Sequence, residues 1–244
     1  MKKLTILAPI LTWLVLGNSV SFADDLDKMN QAAQQFPREL KPEFIDKTPI
    51  EGLYALSNAR GTFMMDAKSK YLIKGKILDI NNQSNITNAI YQKHYAINPK
   101  QLPLNQAFKE VKGNGKHVIY VFADPDCPAC QAFQSAFEEM DNMTIYTFPF
   151  ALTHLHPTAL TTAKKIWCSK EPLKAWKEYL IEEKKPKQQS TDCSNPIDQN
   201  MDLTKKLNIS ITPTVFNSLG QRMAGLETEE EFEEFITPKK VQLN

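Results

Sequence analysis

Along the chain, apolar runs and polar breaks alternate in a way that predicts most of its elements. Lys2 and Lys3 precede a mostly apolar stretch from Leu4 to Leu16, which polar Asn18 and Ser19 close. Ser21-Phe22-Ala23 then puts small residues at the −3 and −1 positions of a cleavage site. Residues 1–23 therefore read as a secretory signal peptide cut after Ala23. A membrane anchor is disfavoured by length, since the run holds 13 residues and includes Pro9, whereas a span takes about 20. No cysteine follows the run to accept a lipid, and no other stretch approaches spanning length, so the processed protein is expected to be soluble.

Residues 24–35 carry a polar helical pattern, and the stretch from Pro37 to Pro49 is expected to be irregular. Three strand-like runs follow: Leu53–Leu56, Gly61–Met65 and Tyr71–Ile80. They are separated by Asn58-Ala59-Arg60-Gly61 and by the segment Asp66 to Lys70. Residues 24–85 thus form a small α+β unit. At about 60 residues a lone core is marginal, which makes association with a second copy an expectation. Residues 86–113 read as a helical linker: a helix over Ile86–Ala96, breaks at Pro99 and Pro103, a short helix over Leu104–Val111, and then Gly113-Asn114-Gly115.

From Lys116 the pattern changes. His117–Ala123 is almost continuously apolar, as in a central strand buried on both faces. Asp124-Pro125-Asp126 makes a turn, and Pro128 to Met140 has helical spacing through Phe133, Phe137 and Met140. A strand over Thr144–Phe148 and helices over 157–168, 172–184 and 196–207 follow. Ile209–Phe216 reads as a strand interrupted by Pro213, and Gly220-Gln221 turns into a short strand, Arg222–Ala224. Thr228 is placed to cap a last helix ending at Ile236, whose Glu229-Glu230-Glu231 and Glu233-Glu234 read as a solvated face. Residues 114–244 therefore run strand, helix, strand, helices, strand, hairpin, helix, and no internal repeat is visible.

Composition narrows the function classes. With 29 Lys+Arg against 28 Asp+Glu over 244 residues there is no basic excess of the kind a nucleic-acid binder shows. A 42% hydrophobic content does not read as disordered. Export would place the four cysteines, Cys127, Cys130, Cys168 and Cys193, where disulfides persist.

The pair Cys127 and Cys130 carries the chemistry. At a strand-to-helix junction Cys127 falls at the N-cap, where free N–H groups and the helix dipole favour a thiolate. Pro128 falls at the first helical position, which tolerates a missing N–H. Cys130, one turn on, can close a disulfide with Cys127 or release a trapped mixed disulfide. The alternatives are an inert disulfide or half of a zinc site. Zinc needs two more ligands at suitable spacing; Cys168 and Cys193 are far apart, and His154 and His156 read as surface or satisfied histidines, so no metal and no cofactor is expected. A Cys–His protease leaves the second cysteine unexplained. Thr212-Pro213 inside an apolar strand makes sense as a cis bond beside the cysteines, where Thr212 could pair with an extended peptide; the alternative is an edge-strand proline. Cys168 and Cys193 flank the polar segment Glu182–Asp192 and read as a structural disulfide, with a second redox site or two free thiols as alternatives.

The segment Val121–Cys130, with Thr212-Pro213-Thr214, resembles the thioredoxin-fold domain of periplasmic disulfide isomerases of the DsbC/DsbG family. Gly75–Ile80 is similar to that family's last N-terminal strand, and the Cys168–Cys193 spacing to its second, structural disulfide. The resemblance covers nearly the whole chain after residue 23. It implies a small cystatin-like N-terminal α+β dimerisation domain, a helical linker and a C-terminal thioredoxin-fold domain with a helical insertion. It also implies a V-shaped homodimer acting on unfolded or misbridged secreted proteins and kept reduced by a DsbD-type membrane reductase. Cys127 is then the nucleophile, Cys130 the resolving thiol, and Thr212 and Pro213 the cis-proline loop. Pro128-Ala129 departs from the family's best-known members and helps set redox poise, so the balance of isomerase, reductase and oxidase stays open. Val121 and Asp126 stand where thioredoxin has a buried Asp and a Trp, which argues against a general thioredoxin-type reductase. A disulfide-donating oxidase and a peptide-binding chaperone with incidental cysteines are the competing expectations.

Overall fold

The computed structural model describes residues 22–224 and 229–238. Nearly all of the leader expected over residues 1–23, and the cap expected at Thr228, lie outside the described residues. No described helix is long and apolar enough to cross a membrane.

The N-terminal unit starts with helix α1 (Phe22–Gln34) and a four-stranded antiparallel meander. Its strands, in spatial and chain order, are β1 (Phe44–Lys47), β2 (Leu53–Asn58), β3 (Gly61–Asp66) and β4 (Leu72–Ile73). Met29, Tyr54, Leu56 and Met65 form its core. A two-residue hairpin, β5 (Leu78–Asp79) with β6 (Ser84–Asn85), leads into helix α2 (Ile86–Tyr95), whose first turn is capped by the Asn85 side chain accepting from the Asn88 N–H.

Two expectations are corrected here. The stretch from Pro37 to Pro49 is not wholly irregular, because β1 forms within it by pairing along β2 from Phe44↔Ser57 to Lys47↔Tyr54. The single strand expected over Tyr71–Ile80 is two short strands, β4 and β5, on different sheets. Lys74-Gly75-Lys76 separates them, and glycine both weakens a strand and allows the chain to change direction.

The C-terminal unit is built on a five-stranded sheet of order β11-β10-β8-β9-β7. Strand β7 (Phe108–Val111) comes first in the chain, then β8 (His117–Ala123), helix α3 (Pro128–Glu139) and β9 (Met143–Pro149). Helices α4 (Ala159–Trp167), α5 (Pro172–Glu182) and α6 (Ile197–Lys206) form the insertion before β10 (Thr214–Asn217), β11 (Arg222–Ala224) and α7 (Glu229–Ile236). Strands β8 and β9 are parallel, joined through α3; every other pairing in this sheet is antiparallel. Side chains alternate along β8 between two cores. Ile119, Val121 and Ala123 pack with Cys127, Cys130, Phe133, Phe137 and Trp176 on one face, and Phe122 packs with Phe148, Phe150 and Phe216 on the other. The continuous apolar run of His117–Ala123 follows from that double burial.

Two further corrections fall in this unit. Leu104–Val111 is not a helix: a 3-10 turn covers Leu104–Gln106, and Phe108–Val111 is strand β7, paired with Thr144–Thr147 of β9. Alanine, lysine and glutamate favour a helix locally, but burial of Phe108 and pairing with β9 outweigh that weak preference. Likewise, only Thr214–Phe216 of the strand expected over Ile209–Phe216 is extended ladder, which runs on to Asn217, since Pro213 has no N–H to contribute.

Helix α2 bridges the two units. Tyr91 and Tyr95 pack with Ala59 of the N-terminal unit. On the other side the Gln92 side chain accepts from the Arg222 N–H at 2.7 Å and donates to the Arg222 carbonyl at 2.8 Å. The buried Arg222 guanidinium lies over the Tyr95 ring, 5.2 Å from its centroid.

Candidate active site

The turn after β8 delivers Cys127 to the start of α3. The Asp124 carbonyl accepts the Cys127 N–H at 3.2 Å, and the Asp124 side chain accepts the Asp126 N–H at 2.8 Å, closing Asp124-Pro125-Asp126 on itself. Cys127 is the N-cap residue, extended at φ −84° and ψ 119°, with Pro128 as the first helical residue. Its carbonyl accepts the N–H groups of Cys130 at 3.0 Å and Gln131 at 3.1 Å, which closes the first turn of the helix.

Cys127 and Cys130 are both free thiols and both buried. Across the sheet, Thr214 of β10 pairs with Phe122 of β8, and the next residue outward is Pro213. The Thr212–Pro213 bond is cis, and the Thr212 carbonyl lies 3.7 Å from Cys127 Sγ, within reach of a thiol donor. The structure thus brings Cys127, Cys130, Thr212 and Pro213 together. It places Cys168 and Cys193 in the helical insertion, joined as a disulfide from the end of α4 to the segment before α6, with Cα atoms 5.6 Å apart.

The two free thiols have opposite environments. Cys127 is drawn down to about 5, chiefly by the Cys130 thiol donating to its sulfur; burial opposes this, and the Thr212 side chain and the backbone amides of Cys130 and Ala129 add to it. Cys130 is pushed well above the ordinary thiol range, first by burial and then by its position beside Cys127. One sulfur is therefore a ready nucleophile at neutral pH, and the other stays protonated as its donor.

Residues 104–238 match the thioredoxin-like domain family, and residues 19–88 match the family described as the disulfide bond isomerase protein N-terminal domain. A probable thiol:disulfide interchange protein DsbC from Bordetella avium is 32% identical over 200 residues, covering 82% of this chain and 70% of that protein. The chain belongs to the DsbC family. The corresponding Bordetella pertussis protein is 31% identical over 189 residues, 78% of this chain; the chain spans 66% of that relative's length. The structure of a disulfide interchange protein from Neisseria gonorrhoeae shares 35% identity and aligns with a TM-score of 0.53, covering 56% of this chain and 96% of its own. The fold is that of the DsbC family: its N-terminal domain followed by a thioredoxin-like domain carrying a helical insertion.

Several polar residues around this DsbC-family turn escaped the sequence pattern. Asp124 is completely buried, and His156 Nδ1 stands 3.0 Å from its Oδ2. Asp126 accepts hydrogen bonds from the Tyr179 hydroxyl at 2.8 Å and the Thr158 hydroxyl at 2.6 Å. A signal was available for Asp124, since a carboxylate at the end of a strand buried on both faces needs partners. Nothing local pointed to His156, which is 32 residues away in sequence.

Proposed function

We propose that this protein is a thiol–disulfide isomerase and reductase of exported proteins, working through Cys127. The observation that carries this is the placement of Cys127 at the start of α3, beside the cis Thr212–Pro213 bond and with Cys130 buried one turn away, a setting that draws its value down to about 5. The Cys127 thiolate attacks one sulfur of a substrate disulfide, forming a mixed disulfide and releasing the other substrate sulfur as a thiolate. In isomerisation, another substrate thiolate then attacks the substrate sulfur of the mixed disulfide, forming a new substrate disulfide and expelling Cys127 as the thiolate. In reduction, Cys130 loses its proton and attacks Cys127 Sγ, releasing the second substrate thiolate. That leaves a Cys127–Cys130 disulfide, which a DsbD-type membrane reductase would restore.

Thr212 and Pro213 form the loop along which an extended substrate segment would pair, and Cys168–Cys193 serves only to hold the insertion. The chain divides into a leader at residues 1–23 cleaved on export to the periplasm, a dimerisation domain at 24–85, a linker at 86–113 and a catalytic domain at 114–244. Strand β7, from the end of the linker stretch, completes the catalytic sheet. A homodimer is supported by β4, an edge strand that exposes Leu72 and Ile73, with exposed Tyr71 just before it and exposed Leu78 and Ile80 on the β5 hairpin.

A second activity, disulfide donation, is favoured by the same low Cys127 value, because stabilising the reduced form makes the couple more oxidising. Refolding of a scrambled multi-disulfide substrate, together with the reduction potential of the Cys127–Cys130 couple, decides between them. Isomerase action predicts recovery of native pairing without net oxidation, abolished by Cys127→Ser. Oxidation of a fully reduced substrate with no rescue of the scrambled one would make the protein an oxidase instead. Retained rescue in a Cys127→Ala/Cys130→Ala variant would make it a chaperone.

A further inference from the structure

Beside the cysteines lies an aspartate–histidine pair with no part in the chemistry above. Asp124 sits three residues before Cys127 with none of its surface exposed. Its Oδ1 accepts the Asp126 N–H at 2.8 Å; its Oδ2 accepts the Leu152 N–H at 2.7 Å and faces His156 Nδ1 at 3.0 Å. Asp126, one residue before Cys127, is a second carboxylate on the same turn. Helix α5 answers it with the Tyr179 phenol, which burial and the Asp126 carboxylate push up to about 12, so it remains a donor. Two acids and a thiolate are thus crowded into four residues. Among the described residues, no lysine or arginine pairs with Asp124 or Asp126, and the His156 ring is the side chain that can offer Asp124 a positive charge, when protonated.

The Asp126 and Leu152 N–H groups go to different oxygens of Asp124, and an asparagine, with one side-chain oxygen, could accept only one of them. The carboxylate that closes the turn also suffers desolvation on burial. It can in addition hold a protonated imidazole at this spot, which the turn itself does not need.

We propose that His156, seated on Asp124, is a positioning residue for the Cys127 thiolate: as an imidazolium it cancels the buried Asp124 charge, so that the thiolate forms beside a neutral pair and not beside a bare anion. This rests on Cys127 being the nucleophile. A like charge a few ångströms away in a poorly screened site disfavours ionisation, and a neighbouring cation favours it. The groups that face His156 fit the proposal. Burial works against its charge, but the hydrogen bond and charge of Asp124, with the charges of Cys127 and Asp126, raise its proton affinity above the ordinary histidine value. Coupling is reciprocal: if the thiolate helps His156 keep its proton, that proton helps Cys127 lose its own.

The test is a titration of the Cys127 thiolate by ultraviolet absorbance in the reduced full chain, for wild type and His156→Gln. Glutamine can still donate to Asp124 but carries no charge. The midpoint in His156→Gln is expected to rise by about one pH unit, a tenfold loss of thiolate at any pH well below it. An Asp124→Asn/His156→Gln double variant should return most of the way, because the anion is gone as well. An unmoved midpoint in a natively folded His156→Gln protein overturns the proposal while leaving Cys127 as nucleophile. A wild type without thiolate below pH 7 overturns both. If the variant does not fold, wild type still answers: NMR should show His156 titrating at higher pH in the reduced protein than in the Cys127–Cys130 disulfide form, and equal midpoints overturn the proposal.

Discussion

Cys127 and Cys130 stand one helical turn apart, and small differences in placement give them opposite chemistry. Cys127 lies at the open end of α3 and collects donors; Cys130 lies inside the core, among Ala123, Phe133 and Trp176. The pH dependence follows in sign. Because the folded-state value of Cys127 is depressed to about 5, the reduced protein gains stability as pH rises above it and loses that gain as pH falls through about 5. His156 works the other way: its raised value contributes stability at acid pH that disappears as pH climbs through the folded-state value. The rate of attack on a small disulfide should therefore be flat at neutral pH and fall about tenfold per unit below the Cys127 midpoint, as stopped-flow measurement between pH 4 and 8 will show. Cys130→Ser should leave that attack in place and accumulate the mixed disulfide, visible by mass spectrometry. At this scale the cysteine pair was legible, because its meaning lies in a spacing of three and a turn-forming proline. The Asp124–His156 contact was not, because the strand end at Asp124 called for partners without naming them and nothing local pointed to His156.

Elements hold the site through a few buried contacts. Trp176 of α5 is fully buried against the face of the sheet that carries α3, and its indole N–H donates to Gln134 of α3 at 3.2 Å. Trp176→Ala should lower stability by about 3–5 kcal/mol, as removal of a large buried aromatic does, measured by urea unfolding of the reduced protein. Gly220, in the turn between β10 and β11, adopts φ +79°, and a Cβ there would lie 1.9 Å from the Ile97 carbonyl oxygen. Its carbonyl accepts the Ile97 N–H at 2.9 Å, which fastens the end of α2 to the catalytic sheet. Gly220→Ala should lower stability by about 2 kcal/mol or more, combining backbone strain with a forced separation; differential hydrogen exchange should place the loosening at residues 96–102 and 217–222. Long periodic segments such as α3, α5 and β8 were evident from their patterns. Strand β7 was mistaken for a helix because four residues of alternating character weigh less locally than the helix formers around them.

For the whole molecule, the exposed edge at β4 is where a second copy would add strands or side chains. Ile73→Glu should convert a dimer to a monomer by analytical ultracentrifugation, with the Cys127 thiolate unchanged and rescue of scrambled substrates reduced; a wild type that is already monomeric would remove the dimer from the proposed function. The two units are joined through α2, by Gln92 and Tyr95 against Arg222 and by Ile97 against Gly220. Lys76 of the N-terminal unit also pairs with Glu231 of α7. By itself the sequence determined the two-unit layout, the strand–Cys–helix junction and the three-residue step from Cys127 to Cys130, because each is written in windows of a few to a dozen residues where hydrophobic period, proline and spacing act directly. The tertiary structure chose among the alternatives left open for Cys168 with Cys193 and for Thr212-Pro213, and it alone decided that Phe108–Val111 joins β9 and that Asp124 holds His156. Those contacts bring together positions 25 to 85 residues apart, and burial and pairing energies between such distant positions override what each segment prefers alone.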